Sequence, residues 1–344
     1  MRIVVVGAAG FIGSNLTRRL LDDGHEVVGA DNFSTGRLQN LAGLLPNERL
    51  QLIEADAVRP LKIDGCVDWV LHFASPASPP KYLEMPIATL RINSEGTYHL
   101  LQLAAAKNAK FMFASTSEIY GDPLVHPQPE SYWGHVNSVG PRSVYDEAKR
   151  YGEALVCAFH RTHNLSTRLI RIFNTYGPMM DPNDGRVVSN LICQALRGDE
   201  ITIYGDGSQT RSFQFIDDLI EGVVKLMGVE YFGAVNLGNP EEYTVMELAR
   251  MVKDLTGSLS QISYCPLPIN DPRQRRPDTS RAQDLLGWRP KVPLAAGLRM
   301  TIDYFQRELG FANNPFEPSI ERSSAARTLR SCSDFTSLPY GAAS

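Results

Sequence analysis

The chain has 344 residues, 43% of them hydrophobic, and a formal net charge of -4, so it can bury a substantial core in one large domain or two interlocked domains. The negative charge argues against a general nucleic-acid binder, and no apolar run approaches the roughly 20 residues of a membrane span. Its five cysteines lack metal-ligand spacing, and we interpret all of them as reduced thiols of a cytoplasmic protein: Cys66, Cys157, Cys193, Cys265 and Cys332.

The chain begins with a short β-branched run, residues 2–6, followed by a glycine-rich segment, residues 7–13, and an amphipathic stretch, residues 14–21. This order predicts strand, turn and helix, and Met1 leads directly into the strand, which leaves no room for a signal peptide. A dinucleotide pyrophosphate needs backbone N–H groups at a helix N-terminus, where a bulky side chain would block its approach. An ordinary tight loop is the alternative. The candidate cofactor contacts are Gly7, Gly10, Phe11, Ile12 and Gly13.

A second predicted strand, residues 26–30, ends at Asp31. A carboxylate at this position can accept hydrogen bonds from the ribose hydroxyls of adenosine and would repel a 2′-phosphate. The sequence therefore predicts NAD rather than NADP. Further candidate cofactor contacts are Asn32, Asp56, Ala74, Asn93, Tyr145, Lys149 and Thr175.

Apolar runs and helical patterns then alternate along the chain, which predicts an α/β fold with a Rossmann-type doubly wound parallel sheet. We expect the NAD-binding domain to cover residues 1–173, with segments that return to it near 212–237. The predicted strands are 50–55, 68–73, 111–114 and 167–172, and the predicted helices are 87–107 and 143–163.

Functional residues in such sheets gather beyond the carboxyl ends of the strands. Ser115, Thr116, Ser117 and Glu118 follow the predicted strand 111–114 directly. Turn formation is the alternative explanation for a cluster of hydroxyl side chains after a strand, and it applies most to Ser115. We predict that the other three lie at the mouth of the site.

Tyr145 and Lys149 are four residues apart within a predicted helix, so both side chains emerge on one face. A free Tyr has a pKa of about 10, and a fixed positive charge nearby lowers it by favouring the phenolate. Such a phenolate can take a proton from an alcohol at neutral pH. This spacing alone also occurs by chance, so the prediction of a catalytic base depends on the preceding motifs.

Beyond Asn174 the chain becomes rich in loops. We predict a smaller, mixed α/β substrate-binding lobe from residues 174–211 and 238–312, and a disordered or loosely packed tail from 313 to 344. Beyond residue 174 the predicted strands are 201–204 and 234–237, and the predicted helices are 187–197, 217–227 and 244–256; those within 212–237 belong to the returning segments.

Three arginines of this region, Arg186, Arg211 and Arg275, have guanidinium groups suited to a nucleotide-sugar diphosphate and one further anion. Surface salt bridges are the alternative, and the cluster at residues 273–276 could also be a basic nucleic-acid or localisation patch. Further candidate substrate contacts are Pro79, Tyr82, Glu118, Asn174, Val187, Tyr204 and Gln209.

Several further motifs can be recognised together: the G-x-x-G-x-x-G spacing, the Thr-Ser-Glu triplet at 116–118 and the stretches 72–80, 115–123, 132–137, 140–150, 183–190 and 204–211. With these motifs, roughly residues 1–310 resemble the UDP-glucuronate decarboxylase family, also called UDP-xylose synthases, of the extended short-chain dehydrogenase/reductase superfamily. The residues usual in that family are replaced at Ala8 and Ala148, and Met179 stands where Arg is common, which leaves one anion contact open.

The resemblance implies catalytic positions at Thr116, Ser117, Glu118, Tyr145, Lys149 and Arg275. It implies oxidation of glucuronate at carbon 4, loss of carbon dioxide from the resulting β-keto acid and reduction to UDP-xylose, with tightly bound NAD regenerated in each cycle. The family assigns Glu118 and Arg275 to the carboxylate and to reprotonation of carbon 5, without deciding which delivers the proton.

Two other functions stay open: a nucleotide-sugar 4,6-dehydratase or 4-epimerase, and a non-catalytic NAD-sensing regulator. Ser117 and Arg275 argue against the first, and the retained Tyr145 and Lys149 argue against the second. Because paired helices often pack across a two-fold axis in this superfamily, we expect a homodimer. We expect no metal, nucleic-acid or membrane partner.

Overall fold

A seven-stranded parallel sheet lies at the centre of the structure, a computed structural model that describes residues 1–268 and 271–311. In chain order the strands are β1 (Arg2–Val6), β2 (Glu26–Asp31), β3 (Leu50–Glu54), β4 (Trp69–His72), β5 (Lys110–Thr116), β6 (Thr167–Ile172), β7 (Thr175–Tyr176), β8 (Ile201–Tyr204), β9 (Thr210–Ser212), β10 (Gln214–Phe215), β11 (Ala234–Leu237), β12 (Glu242–Thr244), β13 (Ile262–Cys265) and β14 (Gln274–Arg275). The strand order of the large sheet is β11-β6-β5-β4-β1-β2-β3. The predicted Rossmann-type fold is confirmed.

The central strands are apolar on both faces because helices cover both sides of the sheet. Along β1, Ile3 and Val5 pack into the same core as Leu16, whereas Val4 packs into the core that contains Leu100. This alternation follows from the period of two in a strand. Burial of each such side chain contributes about 1.5–3 kcal/mol.

Most predicted helices are present, and the residue boundaries 143–163 and 187–197 are confirmed. The helices are α1 (Phe11–Asp22), α2 (Pro79–Glu84), α3 (Pro86–Arg91), α4 (Thr97–Lys107), α5 (Ser143–His163), α6 (Val187–Arg197), α7 (Ile216–Met227), α8 (Val245–Thr256), α9 (Ser280–Leu286) and α10 (Leu294–Glu308). Short 3-10 turns cover Leu38–Leu41 and Ser117–Tyr120.

The helix predicted near residues 87–107 is present, but it is not α-helical throughout. A π-helical segment, Ile92–Gly96, separates α3 from α4. Within it the Asn93 side chain donates to the Thr89 carbonyl oxygen at 2.9 Å and to Ser75 Oγ at 2.9 Å. Such π-segments are frequent at functional sites, and this one turns Asn93 toward the carboxyl end of β4.

Three small sheets follow the large one: β10-β7, β12-β9-β14 and β13-β8. In the second, β9 pairs with β14 so that Arg211 lies opposite Arg275. Strand β11 returns to the large sheet beside β6, as predicted for residues 234–237. The predicted tail at 313–344 lies outside the described residues.

The expectation of five reduced cysteines is wrong for Cys265, which is disulfide-bonded. Cys66, Cys157 and Cys193 are free thiols. Cys332 lies outside the described residues. Over residues 1–268 and 271–311 we find no helix long and apolar enough to cross a membrane. The same part of the chain holds no cluster of His, Cys, Asp and Glu suited to a metal ion.

The close approach of α5 to β5 gives a test of the packing. A Cβ at Gly152 would lie 2.4 Å from Phe113 Cζ, in a ring that is fully buried. We expect Gly152→Ala to lower the free energy of unfolding by about 1–3 kcal/mol, because the overpacked helix must shift. Denaturant unfolding measures this change. Gly43→Ala is the control, since nothing lies within 4 Å of that position; equal stability of the two variants would contradict the packing argument.

Candidate active site

The glycine-rich turn between β1 and α1 brings three pieces of backbone together. Gly7 has a φ of 87°, and a Cβ there would lie 2.7 Å from the Ala74 nitrogen, directly after β4. A Cβ on Gly13 would lie 1.9 Å from the Gly7 carbonyl oxygen. Only glycine fits at either position, so the first turn of α1 lies against the end of β1. This cradle leaves the backbone of the turn open to a pyrophosphate at a helix N-terminus.

Asp31 lies at the end of β2, beside this turn. One carboxylate oxygen accepts a hydrogen bond from the Ala9 amide and the other accepts from the Phe33 amide, each at 2.8 Å. Burial raises the pKa of Asp31, and these backbone N–H groups oppose that effect. The geometry therefore fixes the carboxylate where the sequence predicted a ribose contact.

The other predicted cofactor residues also lie near the carboxyl edge of the large sheet. Asn32 and Asp56 are exposed and follow β2 and β3, whereas Thr175 is buried in β7 and donates to the Phe173 carbonyl oxygen. Asn93 is fully buried, and its Oδ1 atom has no hydrogen-bond partner among the described residues. Phe11 and Ile12 begin α1 and are partly buried.

Helix α5 places Tyr145 and Lys149 against the end of β5. Lys149 Nζ donates to the Ala114 carbonyl oxygen at 2.8 Å and lies 5.8 Å from the centre of the Tyr145 ring. Thr116, the last residue of β5, hydrogen-bonds the Tyr145 side chain. On the other side, the Tyr82 ring of α2 stacks on Tyr145 with centroids 5.0 Å apart and an interplanar angle of 6°.

The pKa values of this pair differ from the expectation. Burial raises the pKa of Tyr145 above its ordinary value, and the hydrogen bond from Thr116 opposes it only in part. Burial also lowers the pKa of Lys149 to about 7, against a smaller opposite effect of Glu153. The predicted lowering of the phenol pKa by Lys149 is therefore wrong for the protein by itself, because removal of water outweighs a neighbouring ammonium.

Glu118 is held between two guanidinium groups. Arg275 Nη1 contacts one carboxylate oxygen at 2.5 Å, and Arg142 Nη2 contacts the other. Burial would raise the pKa of Glu118, but the charges of Arg142 and Arg275 outweigh it and hold that pKa below its usual range. Arg275 also donates to the Gly121 carbonyl oxygen at 2.7 Å and approaches Ser117 Oγ at 3.4 Å.

Sequence reasoning assigned no role to Arg142 or to Asp271. Arg142 directly precedes α5, and its Nη1 atom lies 3.4 Å from Asp271 Oδ1. Asp271 Oδ2 in turn lies 2.8 Å from Arg211 Nη2. The only sequence signal was the position of Arg142 within the motif at 140–150, because ion pairs between distant residues leave no local pattern.

The three predicted anion-binding arginines are not ordinary surface charges. Arg275 is 2% exposed, and the Arg211 side chain is 11% exposed. Arg186 pairs with Asp184 at 2.5 Å and lies with Cζ 5.8 Å from the Phe11 ring centre, on the cofactor side. Because Arg275 is buried, residues 273–276 do not form a continuous basic surface patch.

The remaining predicted substrate residues lie on several different elements. Pro79 begins α2, Val187 begins α6, and Gln209 donates to the Tyr204 carbonyl oxygen at 2.6 Å. The Asn174 carbonyl oxygen accepts from the Gln214 amide at 2.9 Å. Met179 adopts a φ of 73° and turns its carbonyl oxygen toward Asn40, so it supplies no cation at this position.

Comparison with known proteins agrees with this geometry. The model of the NAD dependent epimerase/dehydratase family matches residues 3–238. The chain belongs to this family. It is 52% identical to UDP-glucuronic acid decarboxylase 1 of Danio rerio over 92% of this chain and 76% of the relative. It is 47% identical to UDP-glucuronic acid decarboxylase 2 of Arabidopsis thaliana over 95% of this chain and 72% of the relative.

Two solved structures of this family have the same fold. UDP-glucose 4-epimerase from Thermotoga maritima, solved with UDP-glucose, matches with a TM-score of 0.82 and 31% identity, over 90% of this chain and 100% of that one. UDP-glucuronic acid 4-epimerase from Bacillus cereus, in complex with UDP-glucuronic acid and NAD, matches with a TM-score of 0.80 and 29% identity over the same shares. The Rossmann-type fold and the use of NAD are confirmed.

The family's preference for NAD gives a test of Asp31. Asp31→Asn removes the negative charge while keeping the side-chain size. We therefore expect NAD to bind about tenfold more weakly, and the ratio of the dissociation constants for NADP and NAD to become smaller. Fluorescence titration with both dinucleotides measures the two dissociation constants. Asp22→Asn, at the exposed end of α1, is the matched control. An unchanged ratio of the two constants would contradict the assignment.

Proposed function

We propose that this protein converts UDP-glucuronate to UDP-xylose and carbon dioxide, with NAD retained and regenerated in each cycle. One observation carries the proposal: the Tyr145 and Thr116 side chains lie beside a Glu118–Arg275 ion pair in a chain about half identical to UDP-glucuronic acid decarboxylases. The first pair suits proton removal from an alcohol, and the second suits a carboxylated sugar.

The residues at the carboxyl edge of the sheet fit NAD. The cradle at Gly7 and Gly13 excludes any Cβ, and the buried Asn93 Oδ1 atom has no partner among the described residues. We propose that Gly10, Asp31 and Lys149 hold the cofactor together with these residues. When bound there, NAD would supply the acceptor for a hydride from carbon 4 of the sugar and the donor for its return.

Tyr145 is proposed to remove the proton of the sugar 4-hydroxyl, while Thr116 hydrogen-bonds the same oxygen. Oxidation at carbon 4 gives a ketone β to the carboxylate. The bond from carbon 5 to the carboxylate then breaks, carbon dioxide leaves, and the electron pair is delocalised into an enolate. Tyr145 and Thr116 stabilise the enolate oxygen.

The ion pair constrains the next step, protonation of carbon 5. Glu118 lies between Arg142 and Arg275, so its depressed pKa leaves no acidic proton on it at neutral pH. We propose that Arg275 orients the substrate carboxylate first, while the anionic Glu118 holds Arg275 in position. Glu118 can protonate carbon 5 only after taking up a proton from water, and overall the reaction consumes one proton from solvent.

We also propose that residues 1–173, with the segments near 212–237, bind the cofactor, while 174–211 and 238–312 bind the nucleotide sugar. Strand β11 and the packing of α7 against β6 support the first part. Arg186, Arg211 and Arg275 support the second as contacts for the diphosphate and the sugar carboxylate. We propose Tyr82, Tyr204 and Gln209 as further contacts for the nucleotide sugar.

A second candidate function is 4-epimerisation of a UDP-sugar. It is favoured by the two solved epimerases, which share the fold at TM-scores of 0.82 and 0.80. The higher identity to decarboxylases and the Thr116-Ser117-Glu118 triplet favour decarboxylation. A non-catalytic NAD sensor would not need the Tyr145 and Lys149 pair.

We propose a homodimer and a cytoplasmic location. Large side chains of α3, α4 and α5 are exposed on neighbouring helices: Ile87, Leu90, Tyr98 and Tyr151. A second copy packed across these helices would bury them. The free, exposed thiol of Cys66 supports a reducing compartment, whereas the Cys265 disulfide counts against it.

The dimer has a direct test. Tyr151 is 53% exposed on α5, so Tyr151→Asp would place a charge in an apolar interface without disturbing the core. We expect light scattering after size exclusion to give a dimer mass for the wild type and a monomer mass for this variant. Tyr264→Asp, on β13 and 61% exposed, should remain dimeric. A monomeric wild type would refute the proposal.

The reaction is tested with purified protein, bound NAD and saturating UDP-glucuronate. We expect carbon dioxide and UDP-xylose to form without added NADH. Tyr145→Phe should lower the rate about 10²–10⁴-fold because the proton acceptor is lost, while NAD binding is unchanged. Mass analysis of the products separates decarboxylation from epimerisation.

Tyr264→Phe is the matched control for Tyr145→Phe, since this ring is exposed on β13. No carbon dioxide from the wild type would sink the proposed reaction. Full turnover by Tyr145→Phe would instead refute only the assignment of Tyr145 as the base and would leave the proposed reaction intact.

A further inference from the structure

Five charged side chains of alternating sign form a continuous series of ion pairs through the site. In order they are Arg211, Asp271, Arg142, Glu118 and Arg275, and each contacts the next. They come from β9, the segment before β14, the residue before α5, the turn after β5, and β14. This series of ion pairs therefore joins the elements around the proposed sugar site to those that carry Thr116 and Tyr145.

Arg142 is the central cation of this series of ion pairs. Its side chain is 11% exposed, and its two terminal nitrogens reach different carboxylates, Glu118 and Asp271. A planar guanidinium can bridge two carboxylates in a fixed geometry, whereas an ammonium is a single point charge. Loss of one partner of a buried ion pair leaves an uncompensated charge, so Glu118 depends on Arg142.

The two guanidiniums on Glu118 also fix its orientation. Arg275 contacts Oε1 and Arg142 contacts Oε2, so both oxygens are anchored and the plane of the carboxylate is set. With Arg275 alone the carboxylate could rotate about its remaining contact. A displacement of about 1 Å at a reacting centre can cost about 10²-fold in rate.

We propose that Arg142 is a positioning residue for the decarboxylation, which fixes Glu118 in place as an anion, and that Asp271 links this pair to Arg211. The inference rests on the proposed function of the same site. It adds two residues, Arg142 and Asp271, that neither the motifs nor the family resemblance assigned to the reaction.

The link through Asp271 makes substrate binding and Glu118 interdependent. Arg211 Nη2 contacts Asp271 Oδ2 at 2.8 Å and the Pro272 carbonyl oxygen at 2.5 Å. A diphosphate at Arg211 would compete with Asp271 for this guanidinium. Asp271 would then pair with Arg142 alone, next to Glu118.

Several ionisable groups face Glu118 and affect its pKa. Arg275 and Arg211 come from β14 and β9, and Arg142 precedes α5. Helix α5 adds Tyr145 and the buried Asp146, whose pKa is raised by burial and by the charge of Glu118. Tyr82 of α2 also faces the carboxylate. Of these groups only the arginines favour the anionic form of Glu118.

The test is the pH profile of kcat for Arg142→Gln and Arg142→Lys. Removal of a guanidinium raises the pKa of Glu118, so the acidic limb of kcat should move to higher pH by about one to two pH units in the Gln variant. At neutral pH we expect kcat to fall about 10²-fold while KM changes little. The Lys variant keeps the positive charge, so the acidic limb of its kcat profile should shift less. Its kcat should still fall, because an ammonium cannot bridge the two carboxylates.

Arg18→Gln is the matched control, because Arg18 is exposed on α1; its profile should equal that of the wild type. Thermal unfolding confirms that each variant is folded. A uniform loss of kcat at every pH, equal for the Gln and Lys variants, would show a structural role and overturn the proposal.

The link to Arg211 is tested by calorimetric titration with UDP. Asp271→Asn removes the competing carboxylate, so we expect UDP to bind about three to ten times more tightly. Unchanged or weaker binding by a folded Asp271→Asn protein would refute the link. This measurement needs no turnover. If the wild type binds UDP but releases no carbon dioxide, the proposed reaction is refuted, and the link between Asp271 and Arg211 can still be tested.

Discussion

The contact between α5 and β5 determines the geometry of the whole site. Lys149 Nζ donates to the Ala114 carbonyl oxygen, and Gly152 lets the helix lie directly against the Phe113 ring. A side chain at position 152 would force the helix outward. Since Tyr145 is on this helix and Thr116 ends the strand, their hydrogen bond exists only at this separation.

A second constraint is electrostatic and connects distant segments. The carboxylate of Glu118 is largely withdrawn from solvent, with 18% of the side chain exposed, and such a charge is tolerated only when paired and hydrogen-bonded. Arg142 and Arg275 are 133 positions apart in the sequence, and both approach it. The small sheet that carries Arg211 and Arg275 in register is thereby tied to the large sheet at its carboxyl edge.

Local patterns predicted the elements, and tertiary effects decided the rest. The boundaries of β6, α5 and α6 follow from periodicity and were predicted from sequence, as were Tyr145 and Glu118. The π-segment at Ile92–Gly96 was missed because five residues, about one turn, are too few for hydrophobic periodicity to distinguish from the α-helices on either side. Arg142 and Asp271 were missed because their pairing is long-range, and the Tyr145 pKa was wrong because burial is not visible in a motif.

The two pKa shifts in the Tyr145–Lys149 pair bear on when the base forms. Burial raises one and lowers the other, so both shifts favour the uncharged forms, neutral phenol and neutral amine. A phenolate therefore requires additional positive charge in the same buried space. Arg186 already acts in that direction on Tyr145, and an oxidised nicotinamide ring carries a further positive charge. With Tyr145 as the proposed base, we therefore expect proton removal only in the protein with its oxidised cofactor bound, the state in which hydride transfer from carbon 4 can follow.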